Sequence, residues 1–133
     1  MQLIKAALLL KIMEGVIMSK TIYANNLGQV ILLPSDVEGL VGGSGNDILC
    51  GNLLDNSISG EAGNDQLWGG GSGNDTLAGG AGNDIYWWGR GDGHDSIVND
   101  AANGQDGLFL YNMAASDCQA LKQNDSLVFQ VDE

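Results

Sequence analysis

The chain of 133 residues carries 17 Asp and Glu against 5 Lys and Arg, a formal net charge of −12, and it has 21 Gly and 1 Pro. This acidity repels phosphate backbones and anionic membrane surfaces, so it excludes nucleic acid as a favoured partner and favours cations. Aromatic residues make up only 6% of the chain, and glycine is about double its usual share, which argues against a conventional hydrophobic core.

The segment before Gly39 is poor in glycine. Residues 1–18 are predicted to be a leader of uncertain role, because Lys11 and Glu14 interrupt its short apolar run and no small-residue cleavage site follows. No apolar run approaches the roughly 18 residues that a membrane span needs, so no membrane span is predicted. Residues 19–41 are predicted to be N-terminal capping strands, with one or two strands between Ile22 and Leu33.

Glycine concentrates in the middle of the chain, between Gly39 and Gly93, where the sequence repeats a nine-residue unit. The unit reads Gly-Gly-x-Gly-Asn-Asp-x-apolar-x. Upstream, Glu38 and Leu40 fall in the sixth and eighth phases of a vestigial copy. The predicted copies are Gly42–Cys50, the degenerate Gly51–Ser59, Gly60–Trp68, Gly70–Ala78 after an extra Gly69, Gly79–Trp87, and Arg90–Val98 after the inserted Trp88 and Gly89.

Each unit has room for one turn and one short strand. Its first six positions favour a turn, since Gly accepts positive φ and Asn and Asp bond to their own backbone. The last three positions form a strand whose middle side chain points inward. The predicted inward set is Leu49, Ile58, Leu67, Leu77, Tyr86 and Ile97.

Two units complete one coil, so the sixth-position residues are expected to form two columns. One column contains Asp47, Asp65 and Asp84, and the other contains Asn56, Asp75 and Asp95. Strand stacking places neighbouring carboxylates about 4.8 Å apart, where like charges repel.

A divalent hard cation between the carboxylates relieves this repulsion. Ca²⁺ fits, because it takes six to eight oxygen ligands from carboxylates and carbonyls, and glycine-rich turns bring carbonyls inward. Mg²⁺ fits less well. The sequence predicts three or four Ca²⁺ sites, with a weaker one between Asn56 and Asp75. The predicted metal-binding residues are Gly42, Ser44, Gly45, Asp47, Asn56, Gly60, Ala62, Gly63, Asp65, Gly70, Ser72, Gly73, Asp75, Gly79, Ala81, Gly82, Asp84, Asp92 and Asp95.

Burial of six inward side chains stabilises the fold by less than the entropic cost of ordering residues 42–98. We therefore expect folding to be coupled to calcium binding. The tandem array resembles the calcium-binding nonapeptide of the RTX, or haemolysin-type, secreted bacterial proteins. The resemblance implies an all-β, right-handed parallel β-roll over residues 42–98, secretion by a type I system, and an extracellular location. The run Gly89–Asp100, followed by Gly107–Leu110 and Asn124–Val131, also resembles the segment that closes such arrays.

Residues 99–133 are predicted to form a C-terminal capping segment. The strand-like runs Leu108–Tyr111 and Leu127–Val131 are expected to pair with each other, and aromatic side chains at 87, 88, 109 and 111 are expected to cover the last coil. The two cysteines, Cys50 and Cys118, are too few for a disulfide framework.

Catalysis is not predicted. The single histidine, His94, occupies a turn position, and no H-E-x-x-H, G-x-S-x-G or Walker sequence occurs. One alternative is a detached C-terminal module of a larger secreted protease or lipase, and another is an adhesive or ice-binding surface protein. The tripeptide at 90–92 spells an adhesion motif, but the repeat phase already explains its Gly and Asp.

Overall fold

The structure is a computed structural model that describes residues 7–8, 21–24, 27–98, 104–114, 116, 118–123 and 126–131. The described residues form short β-strands joined by turns, and they include no α-helix. The strands are β1 (Ala7–Leu8), β2 (Thr21–Tyr23), β3 (Val30–Leu32), β4 (Gly39–Ser44), β5 (Ile48–Asn52), β6 (Ser57–Ala62), β7 (Gln66–Gly70), β8 (Thr76–Ala81), β9 (Ile85–Gly89), β10 (Ser96–Val98), β11 (Gly107–Tyr111), β12 (Cys118–Gln123) and β13 (Ser126–Val131).

Successive strands alternate between two parallel sheets. The first sheet has the order β1-β2-β4-β6-β8-β10 and the second has the order β11-β9-β7-β5-β3. All pairs within them are parallel except β1 with β2. Because the chain changes sheet after every strand from β2 to β10, the strands β2 to β11 form a parallel β-solenoid, which confirms the predicted all-β fold class.

The hydrophobic core is a narrow layer between the two sheets. Each strand from β2 to β9 contributes one side chain to it, as the x-apolar-x pattern predicts. Strand register aligns these side chains into two columns. The buried members are Ile22, Leu40, Ile58 and Leu77 in the first sheet and Leu49, Leu67 and Tyr86 in the second, together with Leu33 and Val37 from a turn between the sheets.

The inward prediction is wrong for Ile97. This side chain is in register with the buried Leu77, but it is 40% exposed. Its strand, β10, is the last of the first sheet, and no described strand stacks on its far side. An apolar residue in the correct phase is buried only when another coil follows it.

The repeat phase around Gly69 also differs from the prediction. Gly70 pairs with Asn52, which is the second residue of the unit Gly51–Ser59. A Cβ built on Gly69 would collide with the Asp75 carboxylate, as one on Gly60 would with that of Asp65. Gly69 is therefore the first residue of its unit, and the extra residue lies in the turn that follows it.

The flanking strands extend the solenoid at both ends. β2 and β3 join the two sheets in parallel, and the vestigial-phase residue Leu40 is fully buried. The predicted pairing of Leu108–Tyr111 with Leu127–Val131 is wrong: β11 pairs in parallel with β9, whereas β13 forms an antiparallel hairpin with β12. Of the predicted leader, only Ala7–Leu8 lies within the described residues.

The outward faces of the two sheets have different chemistry. The seventh and ninth positions of the second sheet carry apolar and aromatic side chains on most strands, whereas the first sheet carries mainly hydroxyl and small side chains. The second-sheet residues are Val30, Leu32, Ile48, Cys50, Gln66, Trp68, Ile85, Trp87, Gly107 and Phe109.

Candidate metal sites along two turn edges

Sixth-position residues on the first edge of the solenoid form a ladder of hydrogen bonds. The backbone N–H of Asp47 donates to Oδ1 of Asp65 at 2.7 Å, and the N–H of Asp65 donates to Oδ1 of Asp84 at 2.9 Å. Gln29 begins the ladder by donating its N–H to Oδ1 of Asp47 at 2.6 Å. The structure therefore brings the three predicted acidic residues of this column together.

The second edge has a shorter ladder of the same form. The N–H of Asn56 donates to Oδ1 of Asp75 at 2.7 Å, and the N–H of Asp75 donates to Oδ1 of Asp95 at 3.0 Å. Asn56 differs from the acidic members because its amide also donates, at 3.3 Å to the Val37 carbonyl and at 3.2 Å to Oδ1 of Asn52. The neutral amide thus closes its own turn by hydrogen bonds.

One oxygen of each of several carboxylates lacks a hydrogen bond. The carboxylate residues Asp47, Asp65 and Asp75 are each 1% exposed. Within the described part of the chain, Oδ2 of each of these three, and of Asp95, is buried without a hydrogen-bond partner. A buried ionised group is costly unless it is paired with a charge or coordinates a metal. These oxygens are therefore open ligand positions.

The glycine at the first position of each turn makes room for the open oxygen. A Cβ built on Gly42 would lie 2.7 Å from Oδ2 of Asp47 and 2.8 Å from the carbonyl oxygen of Gly60. A Cβ built on Gly60 would likewise collide with Oδ2 of Asp65 and with the carbonyl oxygen of Gly79. The open carboxylate oxygen and carbonyl oxygens thus share a space that any larger residue would fill.

Fourth-position glycines approach the carbonyl of the corresponding glycine one coil earlier. A Cβ built on Gly63 would collide with the carbonyl of Gly45, and one built on Gly82 would collide with the carbonyl of Gly63. Gly63 has φ of 137°, a conformation that side-chain-bearing residues rarely adopt. Gly73 provides the corresponding carbonyl on the second edge, beneath Gly93.

The third-position residues lie in register across neighbouring coils, with Ser44 opposite Ala62 and Ala62 opposite Ala81. The carbonyl of Ala62 accepts a hydrogen bond of 2.8 Å from the N–H of Gly45, and Ala81 accepts one of 2.8 Å from Gly63. A carbonyl has two lone pairs, so one remains for a ligand. Ser72, in the turn with the extra residue, has φ of 67° and donates its N–H to the Gly91 carbonyl at 3.0 Å.

Burial makes the carboxylates harder to ionise. It raises the pKa of Asp65 from 3.8 to about 6, a change that the hydrogen bond from the Asp47 N–H opposes and the charges of Asp84 and Asp47 reinforce. Burial likewise raises the pKa of Asp95 to about 6, with a smaller reinforcing contribution from the charge of Asp75. The pKa values of Asp47 and Asp75 are also raised, chiefly by burial. A cation is the partner that would restore the charged form.

The donor set fits Ca²⁺ better than a transition metal. Among the described residues, no group of three or more His, Cys, Asp or Glu side chains converges on one point. Any ion between two turns would therefore take its remaining ligands from backbone carbonyls. A set dominated by carbonyl and carboxylate oxygen suits a hard cation that accepts many ligands in flexible geometry.

Asp92, predicted as a ligand, has a different environment. Its Oδ2 accepts hydrogen bonds from the Gly89 N–H at 2.9 Å and from Nε1 of Trp68 at 3.1 Å. The hydroxyl of Tyr111 donates to its Oδ1 at 2.7 Å. The carboxylate thus links β7, β9 and β11, and both of its oxygens accept hydrogen bonds.

Asp106 extends the first ladder and was missed by the sequence reasoning. Its Oδ1 accepts the N–H of Asp84 at 2.9 Å, one coil after the last predicted member. The signal is present in the sequence, because Gly104, Asp106 and Leu108 occupy the fourth, sixth and eighth phases of a degenerate unit.

A second, exposed ladder was also missed. Fifth-position amides accept the N–H of the residue one coil later: Oδ1 of Asn46 bonds Asn64, and Oδ1 of Asn64 bonds Asn83, both at 2.8 Å. On the second edge, Oδ1 of Asn74 accepts the N–H of the exposed His94 at 3.1 Å. The recurrence of Asn immediately before Asp was the available signal.

A comparison with protein families agrees with this arrangement. The model of the RTX calcium-binding nonapeptide repeat matches in overlapping segments, 41–71, 51–86 and 70–95, with 4 copies. No curated protein matches the chain. Within the described residues, no helix is long and apolar enough to cross a membrane. The segment from residue 41 to residue 95 therefore belongs to the family of RTX calcium-binding nonapeptide repeats.

Proposed function

We propose that the chain is a calcium-dependent structural module that folds when Ca²⁺ enters its turn edges, outside the cell. The observation that carries the proposal is the set of buried carboxylate oxygens without hydrogen-bond partners among the described residues, at Asp47, Asp65, Asp75 and Asp95. Leaving such groups ionised and buried opposes folding, so the metal-free fold carries a penalty that a bound cation removes.

We assign the strongest sites to the gaps between paired acidic turns. Asp47 with Asp65 and Asp65 with Asp84 provide two sites on the first edge, and Asp75 with Asp95 provides one on the second. The gap between Asn56 and Asp75 offers one carboxylate and is the weaker fourth site. Ca²⁺ would supply the positive charge that lets both carboxylates of a gap stay ionised, and the glycine carbonyls would complete its oxygen shell.

The same chemistry supports an extracellular location, which is part of the proposal. RTX repeats occur typically in secreted proteins. A chain with a formal charge of −12 repels itself in the absence of a cation, which favours an unfolded state in a compartment poor in calcium. A type I secretion system is the export route that we propose for that unfolded state. We propose no catalysis by this module; attachment to a secreted enzyme remains the alternative.

Calcium titration of the full chain tests the proposal. We expect circular dichroism to change from a disordered to a β-rich spectrum as calcium rises, and calorimetry to give three to four ions per chain. The double variant Asp65→Ala/Asp84→Ala should lose both responses, because it removes carboxylates from two adjacent gaps. A spectrum that calcium leaves unchanged from the micromolar to the millimolar range would refute calcium-coupled folding.

A further inference from the structure

The outward face of the second sheet contains a cavity that the calcium sites do not use. Its volume is about 300 Å³, and its lining is almost wholly apolar. The side chains that line it include Ile48, Cys50, Gln66, Trp68, Trp87 and Tyr111. A cavity of this size with few polar groups is typical of a small-ligand site.

Three aromatic rings in the lining are held in place by other contacts. The rings of Trp68 and Tyr111 meet edge to face, with centroids 6.1 Å apart and planes at 84°. Trp87 packs against Phe109 with centroids 4.4 Å apart. The cavity walls are therefore preorganised, and a ligand need not order them on binding.

A buried carboxylate lies behind two of these rings. Asp92 is 5% exposed, and it accepts hydrogen bonds from Nε1 of Trp68 at 3.1 Å and from the hydroxyl of Tyr111 at 2.7 Å. Burial, and then the hydrogen bond to Asp92, raise the pKa of Tyr111, so its ring stays a neutral phenol. An aromatic ring that donates to an anion gains electron density on its face, and the faces of aromatic rings attract cations.

The negative charge of the whole chain, and that of Asp92 behind the rings, favour a cation as the occupant. We propose that this cavity binds a quaternary ammonium group. The formal net charge of −12 attracts a cation, and it stays negative after three or four calcium ions bind. This site goes beyond the calcium-binding function and depends only on the folded solenoid.

The lining also distinguishes among cations. A primary ammonium has three N–H donors, and burying them without acceptors is costly. Gln66 is the one side chain of the lining with a carbonyl oxygen, and the oxygens of Asp92 already accept from Trp68, Tyr111 and Gly89. A quaternary ammonium has no N–H group, so it can leave water for this cavity without losing hydrogen bonds.

Choline and its uncharged isostere, 3,3-dimethylbutan-1-ol, test the proposal by calorimetry on the full chain in saturating calcium. We expect choline to bind at least about tenfold more tightly than the isostere, since the two differ chiefly in charge. Equal affinities would mean a general apolar cavity and would overturn the proposal, as would the absence of choline binding.

Variants show whether the aromatic lining is responsible. Trp87→Leu should weaken choline at least about tenfold and the isostere much less. Tyr23→Leu, which removes an exposed aromatic ring from the first sheet, should leave both affinities unchanged. Asp92→Asn provides a second variant of nearly the same shape and should weaken choline selectively. Unchanged choline binding in folded Trp87→Leu, checked by circular dichroism, contradicts the proposal.

Vesicles of phosphatidylcholine identify the source of the group. Binding to the vesicles that free choline competes away indicates a lipid headgroup. Binding to free choline without binding to the vesicles indicates a soluble compound. Either result supports the quaternary ammonium site, whereas vesicle binding that choline does not compete with argues against it.

Discussion

The two turn edges of the solenoid have similar backbones, but their sixth-position side chains make different hydrogen bonds. On the first edge the carboxylate ladder runs from Asp47 through Asp65 and Asp84 to Asp106. On the second edge Asn56 takes the place of an acid, and its amide bonds the Val37 carbonyl and Asn52. Oδ1 of each ladder acid accepts an N–H from the preceding coil, whereas Oδ1 of Asn56 accepts the N–H of Asn52 in its own turn at 2.8 Å. The remaining atom decides whether the turn requires a cation or is complete without one.

The largest effect is expected from a variant that gives the first edge an amide at the sixth position, as the second edge has. Asp65→Asn keeps an Oδ1 acceptor for the Asp47 N–H but removes the charge shared by two proposed gaps. We expect calorimetry to count two fewer strongly bound calcium ions, and calcium-induced folding to require a higher calcium concentration. Two sites at a hundredfold excess of calcium over their dissociation constants contribute about 5 kcal/mol to the free energy of unfolding.

Glu61→Gln provides a matched control for this variant. Glu61 is exposed, and its carboxylate accepts a hydrogen bond from the Ser59 hydroxyl at 2.9 Å. The two changes remove the same charge, but only Asp65 lies in a ladder. Equal loss of calcium in both variants would indicate nonspecific attraction by net charge.

The pH dependence should have opposite signs with and without calcium. In the metal-free fold the pKa of Asp65 is raised from 3.8 to about 6, and that of Asp95 also reaches about 6. The folded chain therefore holds more protons than the unfolded chain between these values, so its free energy of unfolding falls as pH rises through that window. Acidifying calcium-free protein from about pH 7 to about pH 4.5 should increase its β-rich signal.

In the presence of calcium the same acidification should weaken folding. Ligand carboxylates must lose their protons before they bind a metal, so calcium affinity should fall as pH decreases through about 6. Circular dichroism recorded across this range, with and without calcium, measures both signs. If both samples lose structure on acidification, ionisation of the buried carboxylates is not what destabilises the metal-free fold.

Much of the solenoid could be predicted because the nine-residue phase is visible in single residues. The alternation of Asp with an apolar residue two positions later placed Asp47 and Leu49 correctly without any long-range information. Features that depend on neighbouring coils were harder to predict from the sequence. Ile97 has the correct phase but an uncovered position, and Gly69 could be assigned only from its register with the preceding coil.

The ends of the array were predicted least well. Strand-like composition identified Leu108–Tyr111 but not its partner, because composition carries no pairing information. Asp92 was also predicted as a ligand, but its position in a longer turn brings its carboxylate to Trp68 and Tyr111, from which it accepts hydrogen bonds. Insertions in a turn thus redirect an acidic side chain in a way that the repeat alone does not reveal.

The reverse substitution should add a site to the second edge. Asn56→Asp places an acid opposite Asp75, and it removes the amide donors to the Val37 carbonyl and to Asn52. We expect one additional strongly bound calcium, worth about 2.7 kcal/mol at a hundredfold excess over its dissociation constant. Without calcium the lost hydrogen bonds should lower stability by about 1 kcal/mol each.

Asn64→Asp is the control for this gain, because it adds the same charge to an exposed amide on the first edge. The new carboxylate can still accept the Asn83 N–H, so the ladder bond survives. Calorimetry should count an extra ion in Asn56→Asp and none in Asn64→Asp. A gain in both variants would mean that the added charge, and not an acid at the sixth position, determines calcium binding.

The smallest effect concerns the exposed amide ladder. Asn64→Ala removes the oxygen that accepts the Asn83 N–H at 2.8 Å, but the Asn64 N–H can still donate to Asn46. Water can replace an exposed acceptor, so the loss should be no more than about 1 kcal/mol, or roughly 4 to 8 °C in melting temperature. The number of calcium ions should stay the same, because the fifth-position amides are exposed whereas the sixth-position carboxylates are buried. Thermal melts and calorimetry of this variant therefore distinguish a ladder that only supports the turns from one that takes part in binding the metal.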